Sequence, residues 1–113
     1  MADYYHEDDL GRLHELGRNA PELWQQFQTW YSSVFAEGAL TAREKSVVAL
    51  AVAHALESPY LIDAYTEECV EHGVSMTQMT EAVHVAAALR SGTTLMHGLQ
   101  MRRAAGKIEG SET

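Results

Sequence analysis

The sequence predicts an all-α domain, and three observations carry that expectation. No segment alternates apolar and polar residues with period two, so strands are not indicated. Apolar residues recur at helical spacing through most of the chain. Helix-start chemistry also repeats: there are two capping-box spacings, and both prolines suit a first helical turn, where the missing N–H would have no partner anyway. The 113 residues suffice for one domain with one core, so 1–113 is read as a single domain.

About six helices follow in order. A short first one covers Asp9 to Leu16 and stops near Gly17. Pro21 opens the second, in which Leu23, Phe27, Trp30 and Val34 recur at helical spacing and Trp24, Tyr31 and Phe35 widen the apolar face. That aromatic face is expected to be core, with a subunit contact as the other reading. Thr41-Ala42-Arg43-Glu44 has capping-box spacing and starts the third helix. From Val47 to Leu56 this helix is apolar all round except for His54, so it is expected to be central and buried. It ends before Pro59, because the residue preceding a proline is pushed out of helical geometry.

Ser58 then caps a fourth helix, with Pro59 at its first position and Gly73 as its stop beyond His72. Ser75-Met76-Thr77-Gln78 is the second capping box and leads a helix from about Met76 to Arg90. Gly92 is expected to break the chain before a last helix carrying Leu95, Leu99 and Met101 toward Ala105. The tail from Gly106 to Thr113 reads as frayed.

Charge and cysteine count narrow the function. Eight Lys and Arg against sixteen acids give a net charge of −8. Nucleic-acid binding depends on basic residues that neutralise phosphates, and an anionic membrane is disfavoured on the same ground. No apolar run approaches a membrane span, and the acidic start lacks the apolar region of a secretory leader, so the cytoplasm is the expected compartment. A single cysteine, Cys69, excludes a disulfide framework, a cysteine-rich metal site and two-thiol chemistry within one chain. No His-x-x-x-His or His-x-x-Glu-His pattern occurs, and no metal or other cofactor is expected.

The informative place is the junction from Ala55 to Tyr65. A helix N-terminus carries partial positive charge and free N–H groups that favour a thiolate or another anion, and this one follows a helix expected to be buried. Here the chain resembles the alkylhydroperoxidase D-like, carboxymuconolactone decarboxylase family. The likeness runs through Leu40 to Lys45, Ala49 to Ala55, Pro59-Tyr60, Ile62-Asp63-Ala64, Glu81 to Ala88 and His97-Gly98. Within that family the chain is most similar to arsenosugar-biosynthesis-associated peroxidase-like proteins, through its Tyr-Tyr start, Val34 to Thr41, and Asp63 to Thr66.

The resemblance implies an alkylhydroperoxidase D-like helical fold, a homo-oligomer (trimer or hexamer), and antioxidant peroxidase chemistry. In family peroxidases a Cys-x-x-Cys pair opens the helix; the second thiol attacks peroxide, the first resolves it, and a Glu and a His relay protons. Carried over residue by residue, the two cysteines fall on Ser58 and Leu61, the His on Tyr65 and the Glu on Ser46. All four are changed. Serine cannot cycle through a sulfenic acid and leucine offers no chemistry, so the dithiol mechanism is not expected.

Three readings remain. Leu61, Tyr65 and Cys69 lie at i, i+4 and i+8, so a redox role could persist through Cys69, given an external resolving thiol. Cys69 sits deep in its helix, however, where a cysteine usually acts as a small apolar residue. The second reading is acid–base work on a small organic acid, with Tyr65 as proton donor and His54, His84 and His97 as candidate imidazoles, each more often a hydrogen-bonded core residue. His6, His14 and His72 read as surface residues. The third is a binding or assembly protein that kept the scaffold, with a small-molecule pocket beside Ser58, Tyr65 and His54.

Overall fold

In a computed structural model of the chain, residues 6 and 8–110 are described, and they are helical with no strand. A 3-10 helix, Leu10–Gly17, precedes four α-helices: α1 Pro21–Phe35, α2 Ala42–Ala55, α3 Pro59–Glu71 and α4 Met76–Ile108. Among the described residues no helix is long and apolar enough to cross a membrane. The acidic start up to Tyr5, and Glu7 with it, lies outside the described residues.

The helix starts form as their residues dictate. Thr41 Oγ1 accepts from Glu44 N at 3.0 Å while the Glu44 carboxylate accepts from Thr41 N at 2.8 Å. Ser75 and Gln78 close the same reciprocal box at the start of α4. Each box satisfies two N–H groups that the helix itself cannot. Pro59 stands at the first position of α3, behind Ser58 as N-cap.

Two helix ends share one turn. After α3, Gly73 N bonds to Val70 O and Val74 N to Cys69 O, with Gly73 at φ 74°. After α2, Glu57 N bonds to His54 O and Ser58 N to Ala53 O, with Glu57 at φ 54°. The second turn therefore holds a glutamate in the left-handed region that glycine normally takes. Arg90 of α4 braces this junction, donating to Ala55 O and pairing with Glu57 at 3.7 Å.

The sequence expectation departs from the structure at Gly92. There is no break: α4 runs 33 residues without interruption, five helices stand among the described residues in place of about six, and the expected fraying at Gly106 is helix as far as Ile108. One exposed glycine costs about 1 kcal/mol against alanine, which a long helix of Ala, Leu and Met absorbs. Ser111 to Thr113 lie outside the described residues.

The core also differs from expectation. Leu50, Tyr65, Cys69, Val74, Met79 and Ala82 form it, where α2, α3 and the start of α4 meet. Of the α2 run expected to be buried, only Leu50 and Ala53 are, while Val48, Val52 and Leu56 are exposed. No residue of α1 is buried, and Leu23, Phe27, Trp30 and Val34 are exposed. α2 packs on α3 along one side and on α4 along another, and α1 rests on the 3-10 helix and one edge of α2. The outer faces of both helices thus have no cover among the described residues. Gly17 is the exception near α1: it is buried against Trp24, whose ring stands 2.6 Å from where a Cβ would be.

Candidate functional site

Ser46, Leu61, Tyr65 and Cys69 meet along the seam between α2 and α3. Leu61 packs against the core that contains Tyr65 and Cys69. Cys69 is wholly enclosed, and its Sγ–H donates to Ser46 O at 3.3 Å. Ser46 is 3% exposed and its Oγ–H donates to Arg43 O at 2.6 Å, so both groups are satisfied internally. A thiol with no solvent contact cannot meet peroxide without an opening of the seam.

Ser58 sits apart at the helix end. Its Oγ accepts from Leu61 N at 3.3 Å, which is N-cap work. Beside it Tyr60 donates to Asp9 at 2.8 Å, tying the start of the chain to α3 and holding the Asp9 carboxyl below its usual range.

The side chain with most to offer is Tyr65. It is buried, and its hydroxyl pairs with that of Tyr31 from α1. Burial first, and then this hydrogen bond, push the Tyr65 phenol far above the usual tyrosine range, so it stays neutral. Tyr65 ends a ladder of rings, Trp24–Phe27–Tyr31–Phe35–Tyr65, with successive centroids 5.7, 5.4, 5.0 and 5.2 Å apart.

Leu61 and the tyrosine pair form a wall between two clefts. On one side lies an open cleft of about 950 Å³ between the 3-10 helix, α1 and α3, with Trp24 and Phe27 facing Asp63, Glu67, Glu68 and Glu71. On the other lies a smaller cleft of about 360 Å³ between α1 and α2, walled by Val34, Phe35, Leu40, Val48 and Val52. Lys45 borders the smaller cleft and donates to Val34 O at 2.7 Å and Ala36 O at 2.6 Å. Its ammonium thus caps the C-terminal end of α1 and leaves positive charge beside the apolar walls.

The histidines do not gather. His54 is half-buried, its ring Nδ1 bonds Leu50 O at 2.9 Å, and it lines neither cleft. His84 and His97 are exposed, contrary to their reading as residues of apolar helices. His72 is half-buried rather than solvated, with its ring on Glu68 O at 2.8 Å. His14, read as a surface residue, borders the wide cleft. Among the described residues no three His, Cys, Asp or Glu side chains are placed to hold a metal ion.

Sequence reasoning found Tyr65 and missed Tyr31. The available signal was a phenol at i+4 from Phe27 and i−4 from Phe35, the one hydroxyl in a stripe of aromatic rings. A hydroxyl in such a stripe needs a partner.

A helical domain whose α2–α3 seam carries the candidate positions is the class that fold and site define. A model of the carboxymuconolactone decarboxylase family matches residues 21–103, from α1 deep into α4, and the chain belongs to that family. It is similar to an uncharacterised protein, number 4 in the cox locus of Paracoccus denitrificans, at 31% identity over 111 residues, covering 98% of this chain and all of the relative. A crystal structure of a Methanobacterium thermoautotrophicum protein, a structural-genomics target, superposes with a TM-score of 0.71 at 29% identity, over 74% of this chain and 93% of that one.

Proposed function

We propose that this chain is a divergent, peroxidase-related member of its family that works without dithiol turnover and holds a small organic molecule in the apolar cleft between α1 and α2. The observation that carries the reading is the Tyr31–Tyr65 hydroxyl pair at the wall of that cleft. Within the pair one hydroxyl donates and the other accepts, so the accepting phenol keeps its own proton for a third oxygen. The bond raises the Tyr65 phenol, as donation by Tyr65 does, so the free proton is that of Tyr31, which suits hydrogen-bond donation to a carbonyl, carboxylate or enolate oxygen. Lys45 adds positive charge on the same side, and a cleft of about 360 Å³ lies in the range of small-molecule sites. The ligand class is therefore an apolar body with an acidic or carbonyl end.

The alignment of Ser58, Leu61, Tyr65 and Ser46 with the family's thiol and relay positions supports the loss of peroxidase turnover. The enclosure of Cys69 supports it from another direction. Two assays test the reading. Peroxide consumption with dithiothreitol, lipoamide or glutathione should not exceed that of Cys69→Ala; wild-type turnover that this substitution abolishes would overturn the proposal. A panel of aryl and alkyl carboxylic acids, titrated by calorimetry, should include binders whose affinity falls about fivefold in Tyr31→Phe, the scale of one net hydrogen bond.

A further inference from the structure

Three clefts meet at one side chain. Among the described residues only Tyr31, Leu61 and Tyr65 line both the small apolar cleft and the wide one, so a single layer of side chains divides them. Leu61 alone also lines a third cleft, of about 490 Å³, where the 3-10 helix lies against Ser58 and Tyr60 at the start of α3. The members of the partition are held differently. The two tyrosines are tied to each other by their hydroxyls, and both rings lie against Phe35, with centroids 5.0 and 5.2 Å away. Moving either ring breaks a hydrogen bond and a ring contact. Leu61 makes neither: its backbone N–H is fixed on Ser58 Oγ at 3.3 Å, and its half-buried side chain offers only hydrocarbon. Helix-start chemistry therefore sets where its Cα stands, and the hydrocarbon beyond closes the partition.

What lies on either side gives the partition a use. Lys45 borders the small cleft, whereas Asp63, Glu67, Glu68 and Glu71 line the wide one along α3, and among the described residues no Lys or Arg joins them there. An anionic group is thus favoured on the near side and repelled on the far side. An oxygen that accepts from Tyr31 also brings its own carbon to the partition. A hydrogen bond of about 2.7 Å and a carbon–oxygen bond of about 1.2 Å leave that carbon within about 4 Å of the phenol oxygen. Groups on the next carbon along therefore meet the partition, where Leu61 stands one turn before Tyr65 on the same face of α3.

We infer that Leu61 is the specificity-determining residue of the small cleft: it admits ligands that are unbranched at the carbon next to their acid or carbonyl group and excludes those that carry extra bulk there. This rests on the reading of that cleft as the site of such a ligand. Overfilling a packed site by one methyl group forces its neighbours off their rotamers. Truncating Leu61 reverses the sign, because the same methyl group then fills vacated space with the wide cleft behind it. The anionic end gains nothing from the opening, since the far side is acidic. A residue that only supported the fold would, when truncated, weaken branched and unbranched ligands alike.

Calorimetric titration of hydrocinnamic and octanoic acids, each beside its α,α-dimethyl derivative, tests the assignment. The derivatives are symmetric at the branched carbon, so the comparison does not depend on handedness. Wild type should bind the unbranched acids at least about tenfold more tightly, the discrimination that a hydrophobic pocket reaches against one extra group. In Leu61→Ala the two forms should lie within about threefold of each other, through a gain by the branched one, and Leu61→Val should fall between. Val52→Ala, in the small cleft but outside the partition, should shift both affinities alike and keep their ratio. Circular dichroism reports that each variant has folded, and Leu61→Val decides if Leu61→Ala has not. A wild type that binds both forms equally, or a ratio that neither Leu61 variant moves, would overturn this inference alone where binding still falls in Tyr31→Phe. A wild type that binds none of the acids, or binds them without dependence on Tyr31, would overturn the reading of the cleft and this inference with it.

Discussion

The two halves of α4 share an apolar periodicity and have opposite surroundings. In residues 76–90, Met79, Ala82 and Ala86 recur at three- and four-residue spacing and are buried. In residues 91–108, Leu95 and Met96 stand four and three residues before Leu99, and all three are exposed. A periodic pattern states which face of a helix is apolar, and it is silent on whether the cover comes from the same chain. The same holds for α1, whose aromatic stripe is half-buried at Tyr31 and Phe35 and open at Phe27 and Trp30.

The largest expected difference between the packed and the bare region comes from truncating one leucine in each. Leu50→Ala should cost about 2–5 kcal/mol in urea unfolding, because it leaves a cavity in the core. Its effect should be the same at every protein concentration. Leu99→Ala removes an exposed side chain and should cost well under about 1 kcal/mol. Equal, concentration-independent losses would mean that α4 is packed within the chain along its full length.

Smaller effects sharpen the comparison. Ser58→Ala should lower stability by about 1 kcal/mol, by removing the cap from Leu61 N, and should leave the affinity for carboxylic acids unchanged. A loss of binding well beyond the loss of stability would move Ser58 from helix cap to ligand donor. Gly92→Ala, where a Cβ meets open space, should raise monomer stability by about 0.5–1 kcal/mol. Destabilisation there would show that the helix does bend at Gly92.

Titration should distinguish the two ends of the pH range. The Tyr65 phenol is raised in the folded state, so its contribution is complete below the unfolded tyrosine pKa and is lost as pH rises beyond about 10. Glu44 is lowered by its bond from Thr41 N, so its contribution is complete above the ordinary glutamate range and is lost as pH falls through the lowered value. Thermal melts should therefore decline on both limbs. Tyr65→Phe should flatten only the alkaline one, and Glu44→Gln only the acid one.

Much of the fold was legible because helix starts are local chemistry. Thr41, Ser58 and Ser75 each announce a helix through a side chain three residues from its acceptor or donor, and the prolines agree with them. Gly92 misled because its cost is small beside the cooperativity of a long helix. Burial misled because exposure depends on neighbours that sequence spacing does not name. At the site, Tyr65 and the enclosed Cys69 followed from position on one helical face. Tyr31 did not, since its partner lies 34 residues away.

The ring ladder gives the protein a built-in optical reporter. Tyr65 connects to the indole of Trp24 through successive ring contacts, so a molecule that takes the free phenolic proton disturbs the near end of a chain whose far end fluoresces. Excitation absorbed by Tyr31 or Tyr65 is transferred to Trp24 over a few ring spacings. A change in tyrosine-excited indole emission should therefore report the proposed ligand of the small cleft without any added label.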